Sequence, residues 1–113
     1  MKILVCGGRA FTNYKLVHDT LLPYVDWDTT IIEGGANGAD ECASIFASHY
    51  KVHHQQYKAE WSKYGKSAGY RRNIQMLEAG KPDLVIAFPG GKGTANMVEI
   101  ARKAGVKVIE INE

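Results

Sequence analysis

Eight of the twelve glycines in this 113-residue chain fall in three short stretches: Gly7-Gly8, Gly34-Gly35 with Gly38, and Gly90-Gly91 with Gly93. Glycine lets a ligand approach the backbone closely and tolerates backbone angles other residues avoid. Where such a stretch runs into a helix, the N–H groups of the first turn and the positive end of the helix dipole face whatever sits there. The chemistry that favours is the holding of negative charge, phosphate above all. The candidate ligand-binding backbone is therefore Gly7, Gly8, Gly35, Ala36, Gly38, Pro89, Gly90, Gly91 and Gly93.

Side chains near these stretches can refine that chemistry. Arg9 follows the first glycine pair and can contact a phosphate or a base. Arg71 and Arg72 are adjacent, so on a helix they point about 100° apart and at most one easily faces the same site. A guanidinium offers a fork to phosphate, and Asn73 lies beside it. Thr94 can cap a helix and still offer its hydroxyl. Trp61, with Tyr57 and Tyr64 nearby, can stack on any base. Asp40 and Glu33 are the candidate acids or bases, and Asp40 can alternatively hold a ribose hydroxyl. Lys66 reads as solvated.

Several familiar chemistries are absent. Gly65-Lys66-Ser67 ends like a Walker A loop, but the earlier glycine that loop requires falls at Glu60. No G-x-G-x-x-G follows the first apolar run, which disfavours an ordinary dinucleotide dehydrogenase. His49, His53 and His54 have no cysteine or carboxylate at ligand spacing, so no metal is expected. Beyond the rim ligand itself, no cofactor is expected. No Ser-His-Asp or Cys-His arrangement is supported. Cys6 and Cys42 read as reduced, buried thiols.

The elements that must position these residues alternate. Apolar or β-branched runs at Ile3–Cys6, Thr30–Ile32, Val52–Tyr57, Asp83–Phe88 and Val106–Ile111 predict five strands. Helical spacing predicts helices over Lys15–Tyr24, capped by Thr12 or Asn13, and over Asp40–Tyr50, with Ala43, Phe46, Ala47 and Tyr50 on one face. It also predicts Tyr70–Ala79, with Ile74, Met76 and Leu77 inward and Gly80 as cap, and Thr94–Ala104, with Met97, Val98, Ala101 and Ala104 inward and Gly105 as cap. Lys58–Lys66 reads as a loop.

Strands that are apolar on both faces and alternate with helices imply a parallel sheet covered on both sides. Right-handed crossovers leave two main strand orders, 3-2-1-4-5 and the flavodoxin-like 2-1-3-4-5. The first is preferred because it sets the three glycine stretches side by side on one rim, where open α/β sheets bind ligands. The expected fold is α/β: a single Rossmann-like domain over residues 1–113, with a five-stranded parallel sheet.

Composition agrees with a globular domain: 45% hydrophobic and 23% charged residues, with only three prolines. A net charge of +2 is too balanced for nucleic-acid binding to be the default. No apolar run approaches the roughly 20 residues of a membrane span. The N-terminal segment lacks the length and cleavage site of a signal peptide. The expected setting is cytoplasmic, without membrane partners.

Pro89-Gly90-Gly91-Lys92-Gly93-Thr94 resembles the PGGxGT phosphate-binding motif of the SLOG superfamily, which includes the LOG phosphoribohydrolases, the DNA-processing protein DprA and molybdenum-cofactor carrier proteins. The small YspA/YpsA-related SLOG group, also described as a domain of unknown function, resembles the chain from end to end. Its pattern is seen in Gly7-Gly8-Arg9, Gly34-Gly35-Ala36-Asn37-Gly38-Ala39-Asp40, Ala59-Glu60-Trp61 with Tyr64-Gly65-Lys66, Ala68-Gly69 with Arg72-Asn73 and Met76-Leu77, and Ala87-Phe88-Pro89-Gly90-Gly91. The resemblance implies a Rossmann-like fold that binds a nucleotide or nucleotide-derived ligand, and by analogy with the family a homo-oligomer, a dimer or larger, is expected. Three glycine turns on one rim without a complete catalytic set point to a sensor, carrier or sequestering protein.

The alternative it implies is a LOG-like nucleoside 5′-monophosphate N-glycosidase or related nucleotide hydrolase. In LOG-type enzymes the motif continues to a glutamate three positions after the threonine; here that position is Met97. Glu99 lies two helical steps further, about 200° round the helix, and does not replace it directly. Asp40 or Glu33 would have to serve instead.

Overall fold

The computed structural model describes all 113 residues, Met1–Glu113. Five strands form one parallel sheet: β1 (Lys2–Cys6), β2 (Thr30–Glu33), β3 (His53–Gln56), β4 (Leu84–Ala87) and β5 (Lys107–Glu110). Their order is β3-β2-β1-β4-β5, the preferred of the two orders. Register aligns Ile3 with Ile31 and Leu84, and Cys6 with Ala87, so the three glycine stretches leave the sheet at the same edge.

The strands read the way their place demands. β1 and β4 have neighbours on both sides, and Ile3 to Cys6 and Leu84 to Ala87 are all buried. Side chains alternate across the sheet, so Ile3 and Val5 enter one core and Leu4 and Cys6 the other. β3 is an edge strand built of His53, His54, Gln55 and Gln56, and Lys107 and Glu110 bracket β5 at the other edge. Polar and charged edges discourage pairing with another chain.

Helices cover both faces. α1 (Tyr14–Leu21) and α2 (Ala39–His49) pack on the Ile3, Val5, Ile31 and Ile86 face through Val17, Leu21, Ala43 and Phe46. α4 (Ala68–Gly80) and α5 (Lys92–Lys103) pack on the Leu4, Cys6, Ile32 and Val85 face through Met76, Met97, Val98 and Ala101. Asn13 caps α1, its Oδ1 accepting from Leu16 N at 3.1 Å. No helix is long and apolar enough to cross a membrane. Both cysteines are free and buried.

The expected boundaries need five corrections. Thr94 does not cap the last helix: α5 starts at Lys92 with Gly91 as its cap, because the glycine turn winds into the helix two residues early and leaves Thr94 inside its first turn. The stretch Lys58–Lys66 is not all loop: it contains a one-turn helix, α3 (Trp61–Tyr64), followed by a 3-10 turn at Gly65–Ser67 that runs into α4. A single turn carries no repeat that periodicity can detect. Ile74 faces outward and is 46% exposed, while Asn73, Met76 and Gly80 form the inward side of α4. Ala104 is exposed because α5 ends at Lys103. Gly80 is not the cap of α4. Lys81 takes the left-handed conformation, with φ 50°, while Gly80 lies buried against Ile32. Gly105, with φ 79°, does follow α5 as expected.

Candidate functional site

The three glycine turns are joined by their backbones before any ligand is considered. Gly8 N donates to Pro89 O at 2.9 Å, and Gly8 O accepts from Ala39 N at 3.2 Å. One residue therefore links the turn after β1 to the turn after β4 and to the start of α2. The contact leaves no room for side chains. A β-carbon at Gly90 would lie 2.6 Å from Gly8 N. Gly38, the residue before α2, has φ 78°, and a β-carbon there would lie 2.6 Å from Arg9 O and closer still to Gly8 O.

Above this junction is a hollow of about 420 Å³. Gly7, Gly8 and Arg9 line it from the first turn, and Gly91, Gly93 and Thr94 from the third. Pro89 and Gly90 do not line it; they make the junction. The backbone that faces the hollow at α5 is unsatisfied. The first hydrogen bond of that helix end is Ala95 N to Gly91 O at 3.0 Å, and the N–H groups of Lys92, Gly93 and Thr94 have no protein acceptor.

The second turn behaves differently. Only Ala36 reaches this hollow. Gly34 N and Ala36 N donate to Asp40 Oδ2, at 3.2 and 3.3 Å, and Gly35 N donates to Glu33 Oε1 at 2.5 Å. The amides here already hold two anions, and both belong to the chain. Glu33 is fully buried, and its other oxygen accepts from His54 Nε2 and Gln56 Nε2, each at 2.7 Å. Neither carboxylate lines the hollow. Burial, with Glu33's charge adding to it, pushes the Asp40 carboxyl up to about 6, against the pull of the turn amides and Arg72.

Arg72 reaches across from α4. Its Nη1 donates to Gly34 O and its Nε to Asn73 Oδ1 at 3.1 Å. Its Nη2 has no protein acceptor. Burial lowers its pKa from the ordinary guanidinium value, Asp40 acts in the opposite direction, and Arg9 adds to the lowering. Asn73 is itself buried and donates to Gly93 O at 3.1 Å and Asn96 Oδ1 at 3.0 Å. Asn73 thus ties Arg72 to the start of α5. Arg71 points elsewhere, stacked over Tyr64 at 4.5 Å and bonded to Ser67 Oγ.

Trp61, 47% exposed, forms one wall, with the Arg9 guanidinium 5.1 Å from its ring centre. It owes this position to α3, the helical turn that sequence periodicity missed. Sequence reasoning also missed Cys6, Met76, Gly69 and Tyr70 as lining residues, and Lys66, read as merely solvated, lines the hollow while remaining exposed. Cys6 was findable: it ends a strand whose neighbouring turn was singled out. Its thiol is pushed up to about 12, chiefly by burial and then by Asp40's charge, so it stays protonated. Met97 is fully buried in the core with Cys6 and Met76, beneath the lining rather than in it.

A second hollow of about 310 Å³ adjoins the first along Arg9, Ala36, Trp61 and Arg72, and includes Gly35 and Lys58. Neither hollow is lined by a carboxylate. The four cations that line them, Arg9, Lys58, Lys66 and Arg72, form no salt bridge. The histidines do not gather into a metal cluster: His49 and His53 are exposed, and His54 is bonded to Glu33.

The sequence model of the YspA, cpYpsA-related SLOG family matches residues 1–64, which carry the first two turns and Trp61. The chain belongs to that family. The Gene 61 protein of Mycobacterium phage D29 is 34% identical over 122 residues, covering 99% of this chain and 97% of that protein. This SLOG chain has the nucleotide-related, Rossmann-like fold of the family. Its third turn and Arg72 lie beyond the residues matched by the family model but within the span shared with the phage protein.

Proposed function

We propose that this protein binds a phosphate-bearing nucleotide or nucleotide-derived molecule on the rim and holds it, as a sensor, carrier or sequestering protein. One observation carries the reading. Three unsatisfied amides, at Lys92, Gly93 and Thr94, open α5, and Gly93 and Thr94 line a hollow that Arg9, Lys66 and Arg72 also line and no acid does. A phosphate there meets backbone donors, the positive end of a twelve-residue helix and at least one guanidinium with a free N–H. Trp61 offers a face for a base, which the Arg9 guanidinium now covers.

Two features favour holding over N-glycoside cleavage. Met97 occupies the LOG glutamate position and is buried below the lining. Asp40 and Glu33, the substitutes for that acid, lie outside the lining, and each commits one oxygen to the amides of the second turn. Isothermal titration against nucleosides and their 5′-phosphates tests the proposal. Phosphorylated forms should bind and the bare nucleosides should bind much more weakly. Absence of any binding at millimolar ligand would end it. Release of free base from nucleoside monophosphates, lost in Asp40→Asn, would instead establish the hydrolase.

A further inference from the structure

We infer that the ligand carries two separate anionic groups, one in each hollow, with Arg72 between them. This rests on the nucleotide-binding reading and deepens it. The two hollows share Arg9, Ala36, Trp61 and Arg72, so they form one cleft with two compartments. The first has the unsatisfied amides of α5. The second has none to offer from Gly34, Gly35 or Ala36, because Asp40 and Glu33 already occupy them. What it has is Lys58, exposed and without an ion-pair partner, the N–H of Asn37, which has no protein acceptor, and the side chains of Arg9 and Arg72 on its other walls.

Charge counting points the same way. Four cations line the cleft and no carboxylate does. A phosphate monoester brings a charge of about −1.5 to −2 at pH 7. One such group leaves roughly half of the positive charge unmatched, and two match it. Size agrees: each hollow alone is near the lower end of the roughly 300–1,000 Å³ range of small-molecule sites. Arg9 over Trp61 stands on the line between the compartments, so a ligand crossing from one to the other must displace or stack with that pair.

The test is a titration of the full chain with three probes: adenosine 5′-monophosphate, adenosine 5′-diphosphate and adenosine 3′,5′-bisphosphate, repeated with the guanosine series. At least one doubly phosphorylated probe should bind about tenfold more tightly than its monophosphate. In Lys58→Ala and Lys58→Glu that preference should shrink to within about twofold. Lys58 is a surface side chain, and circular dichroism would confirm that the variants fold. Monophosphate binding without any preference, or a preference untouched by both Lys58 variants, overturns the two-compartment ligand while leaving the phosphate site standing. No binding by any probe overturns both.

Discussion

Gly38→Ala and Gly93→Ala make the same chemical change at two helix starts, and the geometry predicts opposite results. At Gly38 the backbone has φ 78° with ψ −125°, a conformation an alanine adopts only under strain. That strain costs about 1–3 kcal/mol. The added carbon also meets the carbonyls of Gly8 and Arg9, the latter at 2.6 Å, and these are backbone atoms that no rotamer change can move. Overpacking of this kind adds about 1–3 kcal/mol. The total, about 2–6 kcal/mol, is a large share of the 5–15 kcal/mol that typically separates folded from unfolded. At Gly93 nothing lies within 4 Å of the new carbon, and the residue is helical. Alanine there should hold stability level or raise it by up to about 1 kcal/mol. Because Gly93 lines the hollow, the same methyl should weaken nucleotide binding. Urea unfolding followed by circular dichroism, with a parallel titration, reads both quantities. A Gly38→Ala protein within about 0.5 kcal/mol of the parent would refute the argument that the turns are locked backbone to backbone. A Gly93→Ala protein that is destabilised by several kcal/mol would refute it from the other side.

Three further outcomes follow from particular side chains. Asp40 binds its proton more tightly folded, near 6, than at its ordinary 3.8. The folded state therefore holds more protons between those values, and Asp40's contribution makes stability fall as pH rises from about 4 to 6, by about 3 kcal/mol at 1.36 kcal/mol per unit. Asp40→Asn should remove that component, seen as a smaller gain on acidification when urea midpoints at pH 4.5 and 7.5 are compared with the parent. Identical pH profiles for the two proteins would count against it. Asn73→Ala breaks the bonds to Gly93 O, Asn96 Oδ1 and Arg72 Nε. It should cost about 1–3 kcal/mol in stability and reduce nucleotide affinity, with a loss of stability alone showing that Asn73 does not position the site. Cys6 and Cys42 should resist a maleimide at pH 7.5 in the native state and react promptly in urea, since both thiols are buried and burial raises their pKa. Rapid native labelling of Cys6 would mean that the floor of the hollow is open.

The sheet was legible because its signals are local. Ile3–Cys6 and Leu84–Ala87 are apolar on both faces, as interior strands of a sheet covered on both sides are, and the glycine turns mark where these two strands end. The site was legible in part for the same reason: Gly7, Gly8, Gly91, Gly93, Thr94, Arg9 and Arg72 all line the hollow, as their turn and helix positions suggested. What stayed hidden depends on directions in space. Nothing local reveals that the amides of Gly34, Gly35 and Ala36 turn inward onto Asp40 and Glu33, while those of Lys92 to Thr94 stay unmatched. The two glycine-rich turns look alike in composition, yet Gly34, Gly35 and Ala36 are bonded within their own chain and Lys92, Gly93 and Thr94 are not. Arg9 and Trp61 meet across 52 positions of sequence, so their stacking had no local trace. Ile74 looked inward because it is apolar and helical, but the inward side of α4 is spent on Asn73, whose amide joins two helices.

The amides themselves offer the most direct test of the account. In a ¹⁵N-resolved NMR titration with a nucleoside phosphate, the resonances of Lys92, Gly93 and Thr94 should move most, with the Trp61 indole and the Arg9 side chain following. Gly34, Gly35 and Ala36, already bonded to Asp40 and Glu33, should move less. Binding that leaves Lys92 to Thr94 unmoved, or that centres on the second turn instead, would contradict the claim that the start of α5 is the phosphate site.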